Sequence, residues 1–292
     1  MQSSPISRRQ FAHMAGAAMA GSGALASAAP AALTARQVVE RIQKNVGVPW
    51  QAKTVDTFKA GDPDTPVVGI ATSFMATLDV LQRAAAAGKN FIVSHEPTFY
   101  NHLDQTQDLT ADPVFRAKME FIGKNKLVVW RFHDHWHARK PDAIYTALAQ
   151  LLGWDKYSMD KGQMLYALPP TTLGALAGDM QSRLRTQALR VIGDPRSEVS
   201  KVALSPGAAG LGMQLTLMPK ADVYVCGEAT EWEGIEYARD TIACGQRKGM
   251  ILAGHVVTEE PGMNLCAQWL KTLVPEVPVE WIPAGDPFWR PA

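Results

Sequence analysis

The amino-acid sequence predicts an α/β protein in which helices cover most of the sheet surface. Segments with helical spacing of apolar residues alternate along nearly the whole chain with short apolar runs. Those runs are almost continuously apolar, as at 66–72 and 91–94, which is typical of strands buried on both faces. Residues typical of helix ends flank the longer segments: Thr34 precedes the one at 35–46, and Gly153 follows the one at 142–152.

The first half of the chain contains four predicted helices and three predicted strands. Apolar residues recur at helical spacing over 35–46, 78–87, 113–124 and 142–152. Gly88 ends the second of these predicted helices, and Asp112 precedes the third. Short apolar runs predict the intervening strands, at 66–72, 91–94 and 127–132.

The second half repeats this alternation and begins with a strand. Apolar runs predict strands at 163–168, 201–204, 222–226, 249–253 and 277–282. Helical spacing predicts helices at 172–183, 231–245 and 259–273, the last with Thr258 as its N-cap. The glycine-rich loop at 207–210 lacks the Lys-Ser/Thr of a P-loop and the spacing of a dinucleotide-binding loop, so a plain strand-to-helix turn is the favoured interpretation.

Composition and charge exclude several classes of protein. The chain has 292 residues, a formal charge of +1, 20% charged residues and 47% hydrophobic residues, so it is no disordered polyelectrolyte. The near-zero charge also removes the electrostatic argument for a nucleic-acid binder. Three cysteines, Cys226, Cys244 and Cys266, form neither a disulfide scaffold nor a CxxC zinc motif, and we interpret them as small buried residues.

The N-terminus has the features of a twin-arginine export peptide. Arg8 and Arg9 precede a weakly apolar segment, and an A-x-A cleavage pattern follows at 26–28. A membrane anchor is the alternative, which the short length and the Gly and Ser content disfavour. We therefore expect residues 1–28 to be removed on export to the periplasm, leaving no stable membrane anchor. The formal charge then changes from +1 to −1, because two arginines and no acidic residue are lost.

All six histidines beyond this segment lie in three short clusters, each after a predicted strand. The clusters are SHEP at 94–97 with His102 and Asp104 beyond it, HDHWH at 133–137, and GHVVTE at 254–259. In an open α/β sheet, groups that follow the carboxyl ends of the strands converge where ligands bind. A single histidine there usually serves hydrogen bonding, but imidazoles grouped with carboxylates favour a metal site.

These clusters and their surroundings resemble the Nif-three-like family of dinuclear-metal proteins, whose members are often labelled GTP cyclohydrolase I type 2 homologues. The similarity spans residues 37–288 and includes the SHEP turn and the HDHWH loop. Its most specific part is ADVYVCGE at 221–228, followed by ILAGHVVTEEPG at 251–262.

The resemblance implies an architecture as well as a cofactor. It implies a Nif-three-like domain over 34–290 with two α/β halves, one from 34–155 plus C-terminal elements and one from 160–225. The metal site is then expected in the crevice between the halves. Two divalent ions per chain (zinc, iron or manganese) and a homohexameric ring built as a trimer of dimers are implied in the same way.

The metal ligands carried over from the family include an exchange of residue types. The family's His-His pair corresponds here to His-Glu at 95–96, and its His-x-x-x-Asp corresponds to the HDHWH loop, with histidine at the aspartate position. The two exchanges keep the numbers of imidazoles and carboxylates unchanged. The implied ligands are His95, Glu96, His137, His255 and Glu259, of which the last bridges both ions in the family.

Other residues near these ligands have expected roles. Asp134 is the alternative oxygen ligand to His137 if the loop shifts its register. Glu228 matches the family's Gly-Glu and is expected to be catalytic, orienting a ligand histidine or moving protons, with helix capping as its alternative role. His133 is expected to be catalytic too. Trp136 and Trp232 are candidate walls of a substrate pocket, with packing in the protein as an equally favoured role.

The predicted function is that of an exported metal-dependent hydrolase acting through a metal-bound hydroxide. The family label implies opening of the guanine ring of GTP, but an exported protein meets little GTP, and a phosphoester, a nucleotide fragment or a cyclic amide fits as well. The alternative is a non-catalytic metal-binding or scaffold protein that forms a ring. A metallo-β-lactamase-like site at HDHWH is disfavoured because HxHxDH is absent, and an amidohydrolase site is disfavoured because its HxH normally lies near the first strand, whereas two predicted strands precede this loop. The expected partners are an unidentified small molecule and further copies of the chain, and no nucleic acid.

Overall fold

The computed structural model describes residues 32–289 and Pro291, and the chain from Leu33 onward forms one compact unit. The expected export segment at 1–28 lies outside the described residues. Within the described part, no helix combines the length and the apolar character needed to cross a bilayer.

Helices and strands alternate along the described residues. The helices are α1 Ala35–Asn45, α2 Leu78–Ala86, α3 Pro113–Lys124, α4 Asp134–Ala138, α5 Ala143–Leu152, α6 Leu173–Leu184, α7 Leu211–Leu217, α8 Glu236–Ala243 and α9 His255–Leu273. The strands are β1 Phe58–Ala60, β2 Ile70–Met75, β3 Phe91–Glu96, β4 Val128–Arg131, β5 Leu165–Thr172, β6 Arg190–Ile192, β7 Glu198–Ala208, β8 Val223–Glu228, β9 Gly249–Leu252 and β10 Val279–Trp281. This order confirms the predicted α/β class.

The first sheet has the strand order β1-β4-β3-β2-β10. Strands β10, β2, β3 and β4 run parallel, and β1 closes one edge antiparallel to β4. Strand β3 is buried along its whole length, as its apolar sequence predicts. Both neighbours of β3 are in register with it, since Ile70 and Val128 each lie opposite Phe91. Residues at the carboxyl end of β3 therefore emerge at the centre of the sheet edge.

Two apolar layers enclose this sheet. On one face, Val38 and Ile42 of α1 and Leu270 of α9 pack with the sheet residues Phe91 and Trp130. On the other face, helices α2 and α3 pack against the alternate residues of the same strands. Burial on both faces gives a rigid base for the residues that follow β3 and β4.

The second sheet has the order β5-β7-β8-β9-β6. Strands β7, β8 and β9 are parallel, while β5 and β6 pair antiparallel at the two edges. The sheet takes strands from Leu165 to Leu252, so it extends beyond the expected range of 160–225. The physical reason is that β9 pairs with β8 along four residues and so belongs to this sheet.

Helix α9 contributes to the apolar cores of both sheets. Val257, in its first turn, belongs to the core of the second sheet, whereas Cys266 and Leu270 belong to the core of the first. The helix begins at His255, earlier than the predicted start at 259, and Thr258 is therefore not its N-cap. Instead, the Thr258 hydroxyl contacts the carbonyl oxygens of Gly254 and His255 at 2.9 and 2.8 Å. The longer helix places positions 255 and 259 one turn apart on one face.

Several elements of the described chain were not predicted. Strands β1 and β6 have three residues each, and helix α4 has five, which is too short for a periodic pattern to show. The helix expected over 231–245 divides into a π-helical turn at 231–235 and α8. The loop at 207–210 does connect a strand to a helix, as predicted, because β7 ends at Ala208 and α7 begins at Leu211.

Candidate metal centre

Six side chains from three parts of the fold meet beyond the carboxyl end of β3. They come from the end of β3, from the start of α4 and from the first turns of α9, and are His95, Glu96, His133, His137, His255 and Glu259. Ligand atoms of His95, His133 and His137 lie within 4.8 Å of one another, and so do those of His95, Glu96 and Glu259. The structure thus brings together the five predicted metal ligands and adds His133.

Each of the four histidines in this cluster has its Nδ1 atom held by an oxygen. The partners are Phe132 O for His95 at 3.1 Å, Asp134 Oδ1 for His133 at 2.9 Å, Asp142 Oδ2 for His137 at 2.9 Å, and Glu228 Oε1 for His255 at 3.0 Å. An oxygen acceptor on Nδ1 leaves the Nε2 lone pair free and orients the ring, as is usual for histidines that bind metals.

The two carboxylates of the cluster each lie between two imidazoles. Glu259 Oε2 is 3.0 Å from His255 Nε2 and 3.4 Å from His95 Nε2. Glu96 Oε1 is 3.4 Å from His133 Nε2 and 3.8 Å from His255 Nε2. Both carboxylates therefore have a position from which they could bridge two cations.

The buried nitrogen of His95 shows that the residues present fit a metal ion. His95 is completely buried, and its Nε2 atom makes no hydrogen bond. A buried polar atom without a partner costs about 1–3 kcal/mol, so its retention calls for a ligand. Imidazole nitrogens with carboxylate oxygens are a donor set that suits zinc, iron and manganese. The site can therefore hold a divalent cation.

The charges within the cluster favour positive charge at its centre. Burial opposes ionisation of Glu96, but the hydrogen bond with His133 and the charge of His95 outweigh it and lower the pKa of this carboxyl to about 2. Burial likewise opposes charge on His133, but its hydrogen bonds with Asp134 and Glu96 raise the pKa of the imidazole to about 9. Burial also opposes charge on His255, but its hydrogen bonds with Glu228 and Glu259 outweigh burial and raise the pKa of the imidazole to about 10. Protons or divalent cations can supply this positive charge.

The structure distinguishes the two candidate residues in the HDHWH loop. The Asp134 carboxylate accepts hydrogen bonds from Thr54 Oγ1 and from the Val55 backbone N–H, at 2.8 and 3.0 Å, and its other oxygen contacts His133. This carboxylate therefore orients His133 and is turned away from the cluster. His137, by contrast, has its Nδ1 on Asp142 and contributes to the group of three close imidazoles.

A buried aspartate fixes the start of α4. Asp56 accepts hydrogen bonds from the backbone N–H groups of His133, Asp134 and His135, at 2.6 to 2.9 Å. It also pairs with His135 Nδ1 at 2.7 Å, and Trp50 stacks on the His135 ring at 3.6 Å. His135 is therefore a buried structural residue. Sequence reasoning missed Asp56, because it lies nearly eighty residues before the loop it caps.

A buried arginine lies behind Glu96. Arg131 is fully buried, and its guanidinium donates to the carbonyl oxygens of His95 and His102 at 2.9 and 2.6 Å. Its Nη2 atom is 3.4 Å from Glu96 Oε2, and its Nη1 is 3.6 Å from Asp104. Arg131 therefore holds one oxygen of Glu96 and leaves Oε1 facing the imidazoles. The sequence contained no signal for this residue beyond an arginine at the end of an apolar run.

The loop at 207–210 also borders the site. Gly207 has a φ of +72°, and a Cβ atom added there would lie 2.0 Å from Glu259 Oε1 and 3.2 Å from His255 Nε2. Its backbone N–H donates to the Thr258 hydroxyl at 3.1 Å. Only glycine allows β7 to approach the two α9 ligands this closely. The loop was correctly predicted as a turn, but its proximity to the site was not foreseen.

Two cavities adjoin the cluster. One of about 510 Å³ is lined by Glu96, His255 and Glu228 together with Phe74 and Tyr100. The other, of about 400 Å³, is also lined by His255 and Glu228, together with Arg190 and Phe288. Glu228 borders both cavities, and its side chain is 57% exposed. Both volumes are in the range of small-molecule sites.

Neither tryptophan considered as a pocket wall lines these cavities. Trp136 is 1% exposed and packs in the core of the first sheet, where its indole N–H donates to Gly262 O. Trp232 is 80% exposed on the π-helical turn and borders neither cavity. The expectation of an aromatic wall from these residues is therefore wrong, because one side chain points into the core and the other into solvent.

Comparison with known proteins matches the chain to one family over nearly all described residues. The model of the Duf34/NIF3 (NGG1p interacting factor 3) family matches residues 33–287. A protein of Clostridium acetobutylicum named GTP cyclohydrolase 1 type 2 homolog is 24% identical, over 72% of this chain and 79% of its own length. A Chlamydia pneumoniae protein of the same name is 22% identical, over 79% of this chain and 89% of its own.

Solved structures show the same fold. A hypothetical protein of Staphylococcus aureus has a TM-score of 0.69 and 16% identity, covering 89% of this chain and 99% of its own. A Bacillus cereus protein related to NIF3 has a TM-score of 0.69 and 15% identity, covering 88% of this chain and 99% of its own. At these identities the structural likeness shows the fold alone.

Proposed function

The chain belongs to the Duf34/NIF3 family, and from this membership and the geometry of its site we propose that it is a metal-dependent hydrolase with two divalent ions. The observation that carries the proposal is the convergence of four imidazoles, each oriented through Nδ1, on two buried carboxylates. The buried Nε2 of His95 supports it, because that atom makes no hydrogen bond and faces the Glu259 carboxylate at 3.4 Å, where a cation could bind both.

The proposed ligands are those implied by the sequence, with one addition. His95, Glu96, His137, His255 and Glu259 keep this role, and His133 joins them instead of acting as a catalytic residue. The addition rests on its Nε2 atom, which faces Glu96, and on its place in the group of three close imidazoles. Divalent ions bound here would supply Lewis acidity and a lowered pKa of bound water, which is the chemistry of hydrolysis.

Glu228 is the proposed proton carrier. Its Oε1 holds His255 Nδ1 at 3.0 Å, while more than half of the side chain is exposed and the residue lines both cavities. The hydrogen bond with His255 lowers the pKa of the Glu228 carboxyl, so the group is ionised at neutral pH, and its proposed role rests on its position and not on its basicity. It therefore combines orientation of a ligand with access to a substrate.

Export and assembly complete the proposal. The twin-arginine pattern in 1–28 supports export to the periplasm in folded form, and the family resemblance supports a homohexameric ring. The relatives named GTP cyclohydrolase 1 type 2 homolog make GTP one of the substrates to test. Measuring the mass of the purified protein in solution tests the assembly. Fractionation of the producing cells tests the export.

Elemental analysis and a turnover screen test the proposed chemistry. The exported full chain is expected to contain two divalent ions, and a preparation without bound metal under any divalent-ion supplementation would overturn the proposal. The metal-loaded protein is then assayed on carboxylic esters, cyclic amides, phosphoesters and GTP. Hydrolysis in one of these classes supports an enzyme. Two ions per chain with no turnover in any class would favour the metal-binding or scaffold alternative.

A further inference from the structure

We propose that the two cation positions of the metal centre are chemically unlike: three imidazoles hold Zn²⁺, and two carboxylates with the fourth imidazole hold a harder cation such as Mn²⁺. This division deepens the proposed two-metal function and rests on it, because each side of the centre then takes its own kind of ion. Three observations carry it: the grouping of the imidazole rings, the groups behind the ligands, and the chemistry of the donor atoms.

Three of the four imidazoles form a group of their own, the three-imidazole position. The rings of His95, His133 and His137 contact one another, with centroids 4.7 to 4.9 Å apart, and their ligand atoms lie within 4.8 Å of one another. An oxygen holds Nδ1 of each ring, so Nε2 is the atom left for a cation. Among the described residues, the ring of His255 contacts Phe74 and none of these three rings. One side of the centre therefore offers three nitrogen donors and the other side offers one.

The two carboxylates lie between these imidazoles and His255, and with His255 they form the carboxylate position. Glu259 Oε2 and Glu96 Oε1 are 3.0 and 3.8 Å from His255 Nε2. Each also lies 3.4 Å from an imidazole of the other position, His95 or His133, so both cations can share the carboxylates. His95 has one free nitrogen for one cation, and its ring contacts place it with the imidazoles. The two positions therefore differ mainly in their number of nitrogen donors.

The groups behind the imidazoles strengthen this difference. Asp134 and Asp142 hold Nδ1 of His133 and His137, and a carboxylate in this place makes an imidazole a stronger donor. Glu228 holds His255 in the same way, but its side chain is 57% exposed, against 34% for Asp134 and 16% for Asp142. Water screens an exposed charge more than an enclosed one. The support from behind is therefore stronger in the three-imidazole position.

A buried cation weakens Glu96 as a ligand. The guanidinium of Arg131 lies 3.4 Å from Glu96 Oε2, and Arg131 is fully buried, so solvent does not screen its charge. A neighbouring positive charge lowers the basicity of a carboxylate, which then donates less charge to a metal ion. The cation in the carboxylate position is therefore expected to be the more easily exchanged of the two.

Nitrogen and oxygen donors favour different cations. Imidazole suits zinc and the other late divalent metals, whereas carboxylates suit Mn²⁺ and Mg²⁺. Affinity rises from manganese to zinc at a site of either kind, and we expect the rise to be steeper where three imidazoles bind. The three-imidazole position therefore takes Zn²⁺ first, and the carboxylate position is left for a harder ion that is present in excess.

Mixed loading of the chelator-treated full chain tests the inference. The protein receives one equivalent of Zn²⁺ and an excess of Mn²⁺, and unbound metal is removed. Elemental analysis is expected to give one zinc and one manganese per chain, and electron paramagnetic resonance is expected to show isolated Mn²⁺ alone. Two like positions would share zinc at random and leave some chains with a coupled pair of manganese ions. A coupled pair would overturn the inference, and so would zinc without manganese beside it.

Matched His-to-Asp variants assign zinc to its side of the centre. His137→Asp removes a nitrogen from the three-imidazole position, so the affinity for the first Zn²⁺, measured against a competing chelator, is expected to fall about 100-fold or more. His255→Asp leaves that position intact, and its first Zn²⁺ is expected to bind within about threefold of the unmodified protein. His102→Asp, outside both groups of close ligand atoms, is the control and is expected to change the binding of neither ion.

Equal losses of zinc affinity in His137→Asp and His255→Asp would overturn the inference, and so would a larger loss in His255→Asp. Circular dichroism of the chelated variants checks their folding, and mixed loading of the unmodified chain decides alone if a variant does not fold.

The division of the centre and the hydrolase proposal can fail separately. If zinc and manganese are sorted but no ester, amide, phosphoester or GTP is hydrolysed, the hydrolase proposal fails and the division stands. If the ions are distributed at random and a substrate is hydrolysed, the division fails and the hydrolase proposal stands.

Discussion

The two sides of the metal centre differ in how firmly the protein holds them. The side at the first sheet, with His95, Glu96, His133 and His137, is backed by buried or half-buried charged groups, and the His95 side chain is fully buried. His255 at α9 is as exposed as His133, but its Nδ1 partner differs: Glu228 is 57% exposed, whereas Asp134 and Asp142 on the first-sheet side are 34% and 16% exposed. Under the proposed function, the more enclosed first-sheet side would hold cations, and the side with the exposed Glu228 would meet a substrate.

The largest effect is expected at His95, because it belongs to both groups of close ligand atoms. His95→Ala is expected to lose at least one ion per chain, because its free Nε2 can bind one cation and Glu259, the proposed bridging ligand, lies 3.4 Å from that atom. Elemental analysis of the purified variant measures this. His102→Ala is the control, because His102 lines the cavity but lies outside both groups, and it is expected to keep two ions. Two ions retained in His95→Ala would contradict the ligand assignment.

Removal of Arg131 tests how much the buried charges on the first-sheet side contribute to stability. Arg131→Met removes the guanidinium beside the buried Glu96 carboxylate and leaves Asp104 with Lys59 as its remaining buried cation, so the free energy of unfolding is expected to fall by about 3–5 kcal/mol. Urea denaturation of chelator-treated protein measures it. The surface pair of Arg83 and Asp79 provides the control, where Arg83→Met is expected to cost at most about 1 kcal/mol. Similar losses in both variants would show that burial of Arg131 has no energetic importance.

The HDHWH loop offers a finer comparison within the same side. His137→Ala is expected to lose one ion per chain, because it removes a donor. Asp134→Asn is expected to keep the stoichiometry and weaken metal binding about 10- to 100-fold, because this carboxylate only orients His133. Metal titration with a competing chelator measures both. If the two stoichiometries are reversed, Asp134 is the ligand, and the loop adopts the other register.

The smallest expected effect is a pH dependence of stability. In chelator-treated protein the pKa of His133 is raised to about 9, above its ordinary value, so its ion pairs add stability that is present below about pH 6.5 and is lost as the pH rises through 9. Metal binding has the opposite dependence, because it requires neutral imidazoles. The difference in melting temperature between metal-loaded and chelated protein is therefore expected to widen from pH 6.5 to 9. In His133→Asn the difference in melting temperature is expected to widen less between pH 6.5 and 9. A difference that stays constant over this range in the unmodified protein would argue against His133 as a ligand.

The sequence predicted much of the fold and part of the site. Long periodic helices and buried strands could be read because their apolar patterns extend over many residues. The start of α9 could not, since Thr258 looks like an N-cap but its hydroxyl contacts carbonyls of its own helix and accepts the N–H of Gly207. Helix α4 was missed because its cap, Asp56, comes from a distant loop and not from the adjacent sequence.

By itself, the sequence determined the α/β class, the placement of histidine clusters after strands, and the family to which the chain belongs. The tertiary structure alone decided that Asp134 contacts Thr54, that His133 lies beside Glu96 among the candidate ligands, and that Arg131 holds Glu96. The reason is that side-chain direction at a site depends on partners far apart in the chain. Arg131 lies 35 residues from Glu96 in sequence, and Gly207 lies 51 residues from Thr258, so no local pattern could reveal these contacts.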